Sequence, residues 1–432
     1  MDLGKFYDCP SRDQWREITT RPQRDLTELR HTVKQVLDAV KKDGDVAVKR
    51  FEKQFDHVAL QHLLVTEAEM AEAETCVSEE LRAALTLAHN NISRFHNAQQ
   101  FVGHRVETAP GVVCWQKAVP IERVGLYIPG GTAPLFSTVL MLATPARIAG
   151  CREVVLCSPP NSEGRLHPAI LVAAKLAGVN KIFKIGGVQA IGAMAFGTES
   201  VPKVSKIFGP GNQFVMAAKQ AVAVNDCAID MPAGPSEVAV IADATSHAPF
   251  VAADLLSQAE HGMDSQVLLI CTDRAKLEEI RREVAAQLEL LPRKKMAASS
   301  LRNSRFVLMN NIESAIELCN DYAPEHLILP LANADDVAEK VVNAGSVFIG
   351  RYSCESAGDY ASGTNHTLPT SGWAKAYSGV SLDSFIRKIT FQKLSPQGVE
   401  SIAKDVETMA ANEQLNAHER AMALRREELE NI

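Results

Sequence analysis

The spacing of apolar residues changes rhythm near residue 123. Before that point it is helical. Val33, Val36, Leu37 and Val40 follow the i, i+3, i+4, i+7 rule, and Gly44 punctuates the pattern. Thr66 with Glu69 makes a capping box at the head of a second helical region reaching about Phe95. From residue 123 onward, short β-rich runs alternate with helical ones. The predicted strands are RVGLYI, EVVLCS, KIFKIGG, SKIFGPG, EVAVIAD, QVLLICTD, RFVLMN, HLILP and SVFIG; the helices between them include PAILVAAKLAG, VQAIGAMAFG and QFVMAAKQAVAV. Runs that are apolar throughout, instead of alternating, mark parallel strands covered on both faces. This rhythm persists for roughly 230 residues, enough for two doubly wound units. The expected fold is therefore α/β, with two Rossmann-like parallel-sheet domains, an N-terminal helical region and a small C-terminal helical extension. After Gly350 the sequence becomes a loop of small and polar residues, RYSCESAGDYASGTNHTLPTSG, before the closing helices SPQGVESIAKDVETMA and NAHERAMALRREELENI.

Composition narrows the class. A chain of 432 residues is too long for one simple core. Its hydrophobic fraction of 46% and charged fraction of 22% are ordinary for a globular protein. A net charge of −7, without a Lys/Arg-rich tract, argues against a nucleic-acid partner. The opening MDLGKFYDCPSRDQW lacks the apolar centre of a signal peptide, and Arg147 interrupts the best apolar run, VLMLATPARIAG. The nine cysteines are odd in number, scattered and never spaced CxxC, which fits free thiols in a reducing cytoplasm and excludes the usual thiolate zinc motifs.

Three groups of residues carry candidate chemistry. Glycine-rich turns join strand to helix at YIPGGTAP (127–134), KIGGVQAIG (184–192) and FGPGNQF (208–214). Such turns let a backbone approach a pyrophosphate at a helix N-terminus, but none matches GxGxxG, and parallel α/β proteins need tight turns there in any case. In the second group, the run SHAPFVAADLLSQAEHG reads as a helix capped by Ser246 and Gly262, with Gln258 and His261 on one face. Asp359, His366 and His418 offer further ligands for zinc or a similar ion, although most histidines in a chain with twelve belong to the surface or to a satisfied core. The third group is APEHLIL, where Glu325 and His326 stand side by side before a strand: either two proton-transfer groups or a polar strand entrance.

Taken together, these segments resemble the L-histidinol dehydrogenase family, zinc enzymes of the last two steps of histidine biosynthesis. The resemblance is carried by RVGLYIPGGTAPLFSTVLMLATPA, GGVQAIGAMAFG, KIFGPGNQFV, DMPAGPSEV, LLSQAEHG, APEHLIL, GDYASGTNHTLPT and AHERAMALR, in order from about residue 123 to 426, with RDLTELRHTVKQVLDAVKKDGDVAVKRF ahead of them. It implies one zinc per subunit held by Gln258, His261, Asp359 and His418, and oxidation of histidinol through bound histidinal to histidine with two NAD and one water. By the same resemblance His326 is the base of the first oxidation and Glu325 activates water for the second. Ser236, His366 and Glu413 contact substrate, as do the zinc ligands and His326; Tyr127, Gln189 and Asn212 contact NAD. The implied organisation is an N-terminal arm (1–25), a larger α/β domain (26–126 and 238–380), a second α/β domain on the NAD side (127–237), and an extension (381–432) that reaches the partner of a homodimer with shared active sites. Departures from the family pattern are confined to the loop after Thr370 and the SGWAKAYSG segment. The competing readings are a zinc- and NAD-dependent dehydrogenase of another polar alcohol, a zinc hydrolase with Glu325 activating a metal-bound water, and a silent nucleotide-binding protein.

Overall fold

The computed structural model describes residues 3–21, 27–130, 134–232 and 234–431. Gly131, Thr132 and Ala133 of the first glycine turn, residues 24–26 of the helical opening and Ala233 of DMPAGPSEV lie outside the described residues. Two compact units are formed, one from Met1–Gln99 with Glu122–Phe385, the other from Gln100–Ile121 with Ile386–Ile432.

In chain order the strands are β1 (Lys5–Asp8), β2 (Arg105–Ala109), β3 (Val112–Pro120), β4 (Arg123–Tyr127), β5 (Glu153–Ser158), β6 (Lys181–Lys184) and β7 (Lys206–Phe208). They continue with β8 (Ala228–Ile229), β9 (Glu237–Ala242), β10 (Gln266–Cys271), β11 (Arg305–Leu308), β12 (His326–Leu329), β13 (Ser346–Ile349) and β14 (Ile386–Leu394). Every one of the nine runs predicted from the sequence is a strand. The first unit holds two parallel sheets, ordered β6-β5-β4-β7-β8 and β1-β11-β10-β9-β12-β13. Each repeats the doubly wound order 3-2-1-4-5, with β1 added at one edge of the second. β9 and β10 are buried at every position. Val238, Val240 and Ala242 pack with Leu255 and Leu277 on one face, while Ala239 and Ile241 pack with Trp15 and Leu318 on the other. That two-sided cover is why these strands carry no polar alternation.

The long helix Thr27–Phe55 buries Val33, Val36, Leu37 and Val40 against Phe183, Ile185, Val188 and Ile191. It therefore covers the five-stranded sheet, whereas the sequence reading placed residues 26–126 with the larger domain. Gly44 breaks it at φ 52°, ψ −131°, a conformation that L side chains avoid. Thr66 and Glu69 form the expected capping box, and the helical region behind it divides into Glu67–Cys76 and Glu79–Asn97.

The second unit is an antiparallel sheet, β14-β3-β2, followed by helices Pro396–Asn412 and Asn416–Glu430. β14 pairs with β3 along its whole length, from Ile386 opposite Pro120 to Leu394 opposite Val112. The extension expected to be helical therefore opens with a nine-residue strand, whose partner comes from residues assigned by sequence to another domain. Among the described residues, no helix is long and apolar enough to cross a membrane.

Candidate active site

The helix expected at SHAPFVAADLLSQAEHG runs from Ala248 to Ala259. His247 occupies the N-cap position, not Ser246; the Ser246 hydroxyl instead donates to the Pro330 carbonyl (3.0 Å) and accepts from the Asp243 amide (3.0 Å). Glu260 is the C-cap in place of Gly262. Gln258 thus lies fully buried in the last turn, with His261 just beyond it. The His261 amide donates to the Gln258 carbonyl at 3.2 Å, so the two residues share one tight turn.

A short helix, Glu355–Tyr360, supplies the opposing wall, with Glu355 and Asp359 four apart on one face. Ligand atoms of His261, Glu355 and Asp359 lie within 4.8 Å of one another. With its amide nitrogen turned to Glu355 Oε1 (2.7 Å), Gln258 keeps its carbonyl oxygen for another partner. His326, at the start of β12, places Nε2 3.6 Å from Asp359 Oδ1 and Nδ1 3.7 Å from Glu325 Oε2. His326 Nε2 and Asp359 Oδ1 are buried and find no hydrogen-bond partner among the described residues. An imidazole and two carboxylates grouped this closely, beside an unsatisfied nitrogen and oxygen, fit a divalent cation such as zinc. Glu355 was absent from the sequence candidates; its signal was the four-residue spacing to Asp359 in ESAGDY.

Charge is concentrated here. Burial opposes protonation of His326, but Glu355, Glu325 and Asp359 outweigh it and carry the ring up to about 10. Burial pushes Glu325 up to about 8 against the pull of His326 and of the Glu237 amide, which donates to Glu325 Oε2 at 3.0 Å. Glu237 itself is neutralised by Arg21 in a two-pronged pair of 2.9 and 3.0 Å. The His261 side chain reaches solvent, but crowding by protein holds its ring below the ordinary range. His366 is also held low by burial. Its Nδ1 faces the Asp359 carbonyl (2.9 Å), which can only accept, so Nε2 is left to accept from Thr138 Oγ1 (3.1 Å).

A pocket of about 690 Å³ gathers Asn212, Ser236, His261, Glu325 and His366. It lies at the carboxyl ends of the five-stranded sheet and the amino ends of the six-stranded one, since β7 runs into Gly209 while Ser236 and Glu325 precede β9 and β12. Asn212 caps the helix Gln213–Ala223 through Oδ1, accepting from the amides of Phe214 and Val215. Beneath this turn Lys219 Nζ reaches the Gly209 carbonyl (2.7 Å) and Asp230 Oδ1 (2.6 Å), and Asp230 Oδ2 accepts from the Gly209 amide (2.8 Å). The turn is therefore set before any ligand arrives. Tyr127, at the end of β4, accepts from the Gly187 amide at 3.1 Å, which joins it to the turn that carries Gln189. Braced glycine turns at the carboxyl ends of a doubly wound sheet suit a dinucleotide. Glu413 and His418 belong to the second unit, where both are exposed.

A family model described as histidinol dehydrogenase matches residues 19–426. The histidinol dehydrogenase of Bacteroides thetaiotaomicron is 61% identical over 423 residues, covering 98% of this chain and 99% of that protein. That of Yersinia pestis is 50% identical over 99% of this chain and 96% of its own. The crystal structure of histidinol dehydrogenase from Elizabethkingia anophelis superposes with a TM-score of 0.98 at 50% identity, covering 100% of this chain and 99% of that one. With the metal-suited cluster, the Glu325–His326 pair and the glycine turns at 184–192 and 208–214 standing in the folded chain, these matches over nearly its full length show that it belongs to the histidinol dehydrogenase family.

Proposed function

We propose that the protein oxidises L-histidinol, through bound L-histidinal, to L-histidine, using two NAD and one water, as a cytoplasmic homodimer with one zinc per subunit. The observation that carries this reading is His326, buried at the wall of the metal-suited cluster with Nε2 unpartnered among the described residues. Zinc held by Gln258, His261, Asp359 and His418 would orient the substrate, polarise it and offset the carboxylate charge around His326. Glu355 grips the Gln258 amide nitrogen and so aims its carbonyl oxygen.

In the first oxidation His326 Nε2 takes the alcohol proton as the hydride leaves carbon for the nicotinamide. In the second, Glu325 takes a proton from water as it adds to the aldehyde, since only the hydrate can yield a hydride. A carboxyl raised toward neutrality by burial is matched to that proton transfer. Ser236, His366 and Glu413 hold the substrate, while Tyr127, Gln189 and Asn212 hold the dinucleotide.

The dimer is supported by the second unit's own construction. Seven of nine β14 residues are exposed, and the helix Asn416–Glu430 buries none of its side chains. A unit this small is short of core and calls for a partner surface.

The division of labour is tested by single turnovers started from histidinol and from histidinal. Glu325→Gln is expected to slow aldehyde oxidation far more than alcohol oxidation, and His326→Asn to slow alcohol oxidation by about 10²–10⁴ with metal retained. Equal losses in both half-reactions for Glu325→Gln would refute the assignment.

A further inference from the structure

The carboxyl end of β5 in a doubly wound dinucleotide fold is where an acidic side chain ordinarily reads the adenosine ribose. In this chain β5 is the second strand of its sheet and runs out into Ser158, Pro159, Pro160 and Asn161, with no acid among them. An acid arrives from elsewhere. Asp56, just past the end of the helix Thr27–Phe55, lies where a Cβ on Gly186 would stand 2.7 Å from Pro159 and 3.3 Å from Asp56 Oδ2. The side chain therefore faces the bare backbone of the β6 turn at the end of β5.

Gln189 is turned to match. Its Nε2 donates to Glu52 Oε1 at 2.8 Å and to Asp56 Oδ2 at 3.3 Å, which leaves Oε1 as the free acceptor. That oxygen is buried, has no partner among the described residues, and lies 3.0 Å from where a Gly187 Cβ would be. Glu52 completes the arrangement. Wholly buried, it accepts from the Gly186 amide (2.9 Å) and fixes the Gln189 amide. Two acceptors, Asp56 Oδ2 and Gln189 Oε1, thus stand beside two adjacent glycines. Two acceptors call for two donors side by side, which a vicinal diol provides and a phosphate monoester does not.

Resting on the NAD reading above, we infer that Asp56 and Gln189 bind the vicinal hydroxyls of the adenosine ribose, and that Asp56 makes the protein select NAD over NADP. A 2′-phosphate would bring negative charge against Asp56 and remove one of the two donors.

The test is direct binding of NADH and NADPH, followed by nucleotide fluorescence on metal-depleted protein, where no turnover intervenes. The parent is expected to bind NADH and to discriminate strongly against NADPH. Loss of a charge-assisted hydrogen bond should weaken NADH binding by about 10- to 100-fold in Asp56→Ser, and the NADPH/NADH ratio should narrow by at least that factor. Asp56→Asn, which keeps the size and removes the charge, should narrow it in the same direction. NAD lacking the 2′-hydroxyl should bind the parent more weakly than NAD, and the Asp56→Ser protein equally well. A discrimination ratio unchanged in both variants, with melting temperatures preserved and NADH still bound by the parent, would overturn the inference. A parent that binds neither nucleotide would overturn the NAD reading together with it.

Discussion

Among the described residues Glu52 has no cation paired with it, although it is entirely buried. Its Oε1 accepts two hydrogen bonds, from Gly186 and Gln189, while Oε2 finds no partner among the described residues. Burial, reinforced by the nearby Asp56, pushes its carboxyl up to about 8 against the pull of those bonds. The unfolded chain releases the proton near 4.5, so between that pH and about 8 the folded state binds the proton more tightly. Stability from this group accordingly falls as pH rises through that window and levels off above it. Glu52→Gln keeps an acceptor for Gly186 and removes the titration. Its melting midpoint relative to the parent should therefore move in the variant's favour between pH 5 and pH 8.5; a difference independent of pH would contradict the account. Sequence made the catalytic candidates at this scale legible, because Glu325 and His326 are neighbours and Gln258 and His261 share a turn. Glu52 and Asp56 were invisible to the same reading. They meet Gln189 across sequence separations of 137 and 133 residues.

The helix Thr27–Phe55 shows how one residue fixes the path of an element. Gly44 adopts a conformation suited to glycine, and a Cβ there would stand 2.4 Å from Glu199 Oε2, the oxygen that accepts from the Asp45 amide at 2.8 Å. Gly44→Ala should cost about 1–3 kcal/mol through backbone strain, before any displacement of Glu199. Urea melts of the two proteins measure it, and a neutral substitution would mean that the bend is not required. The elements that sequence found were those with one-sided or two-sided burial. β4–β7 and β9–β13 are dense in apolar residues because helices cover them, whereas β14 is exposed along both faces and carries no such pattern. β1 and β8 are edge strands with one buried residue between them, so neither carries a dense apolar run. Long-range pairing, such as β14 with β3, leaves no local trace.

For the whole molecule, the proposal joins two sheets, a metal, a dinucleotide and a partner subunit into one reaction. The shared site is open to a hybrid-dimer experiment. Inactive His326→Asn chains mixed with inactive His418→Asn chains should recover roughly a quarter of parental activity, because half the dimers are hybrids and each has one intact site of two. No recovery, with hybrids demonstrated, would place each site within a single chain. The central claim, however, is the double oxidation itself, and stoichiometry tests it most directly. Histidinol supplied in limiting amount to the zinc-loaded protein with excess NAD should yield two NADH and one histidine per molecule consumed. Exhaustive chelation should abolish that yield and zinc should restore it. One NADH per histidinol with free aldehyde accumulating, or an undiminished yield after the metal is removed, would contradict the account.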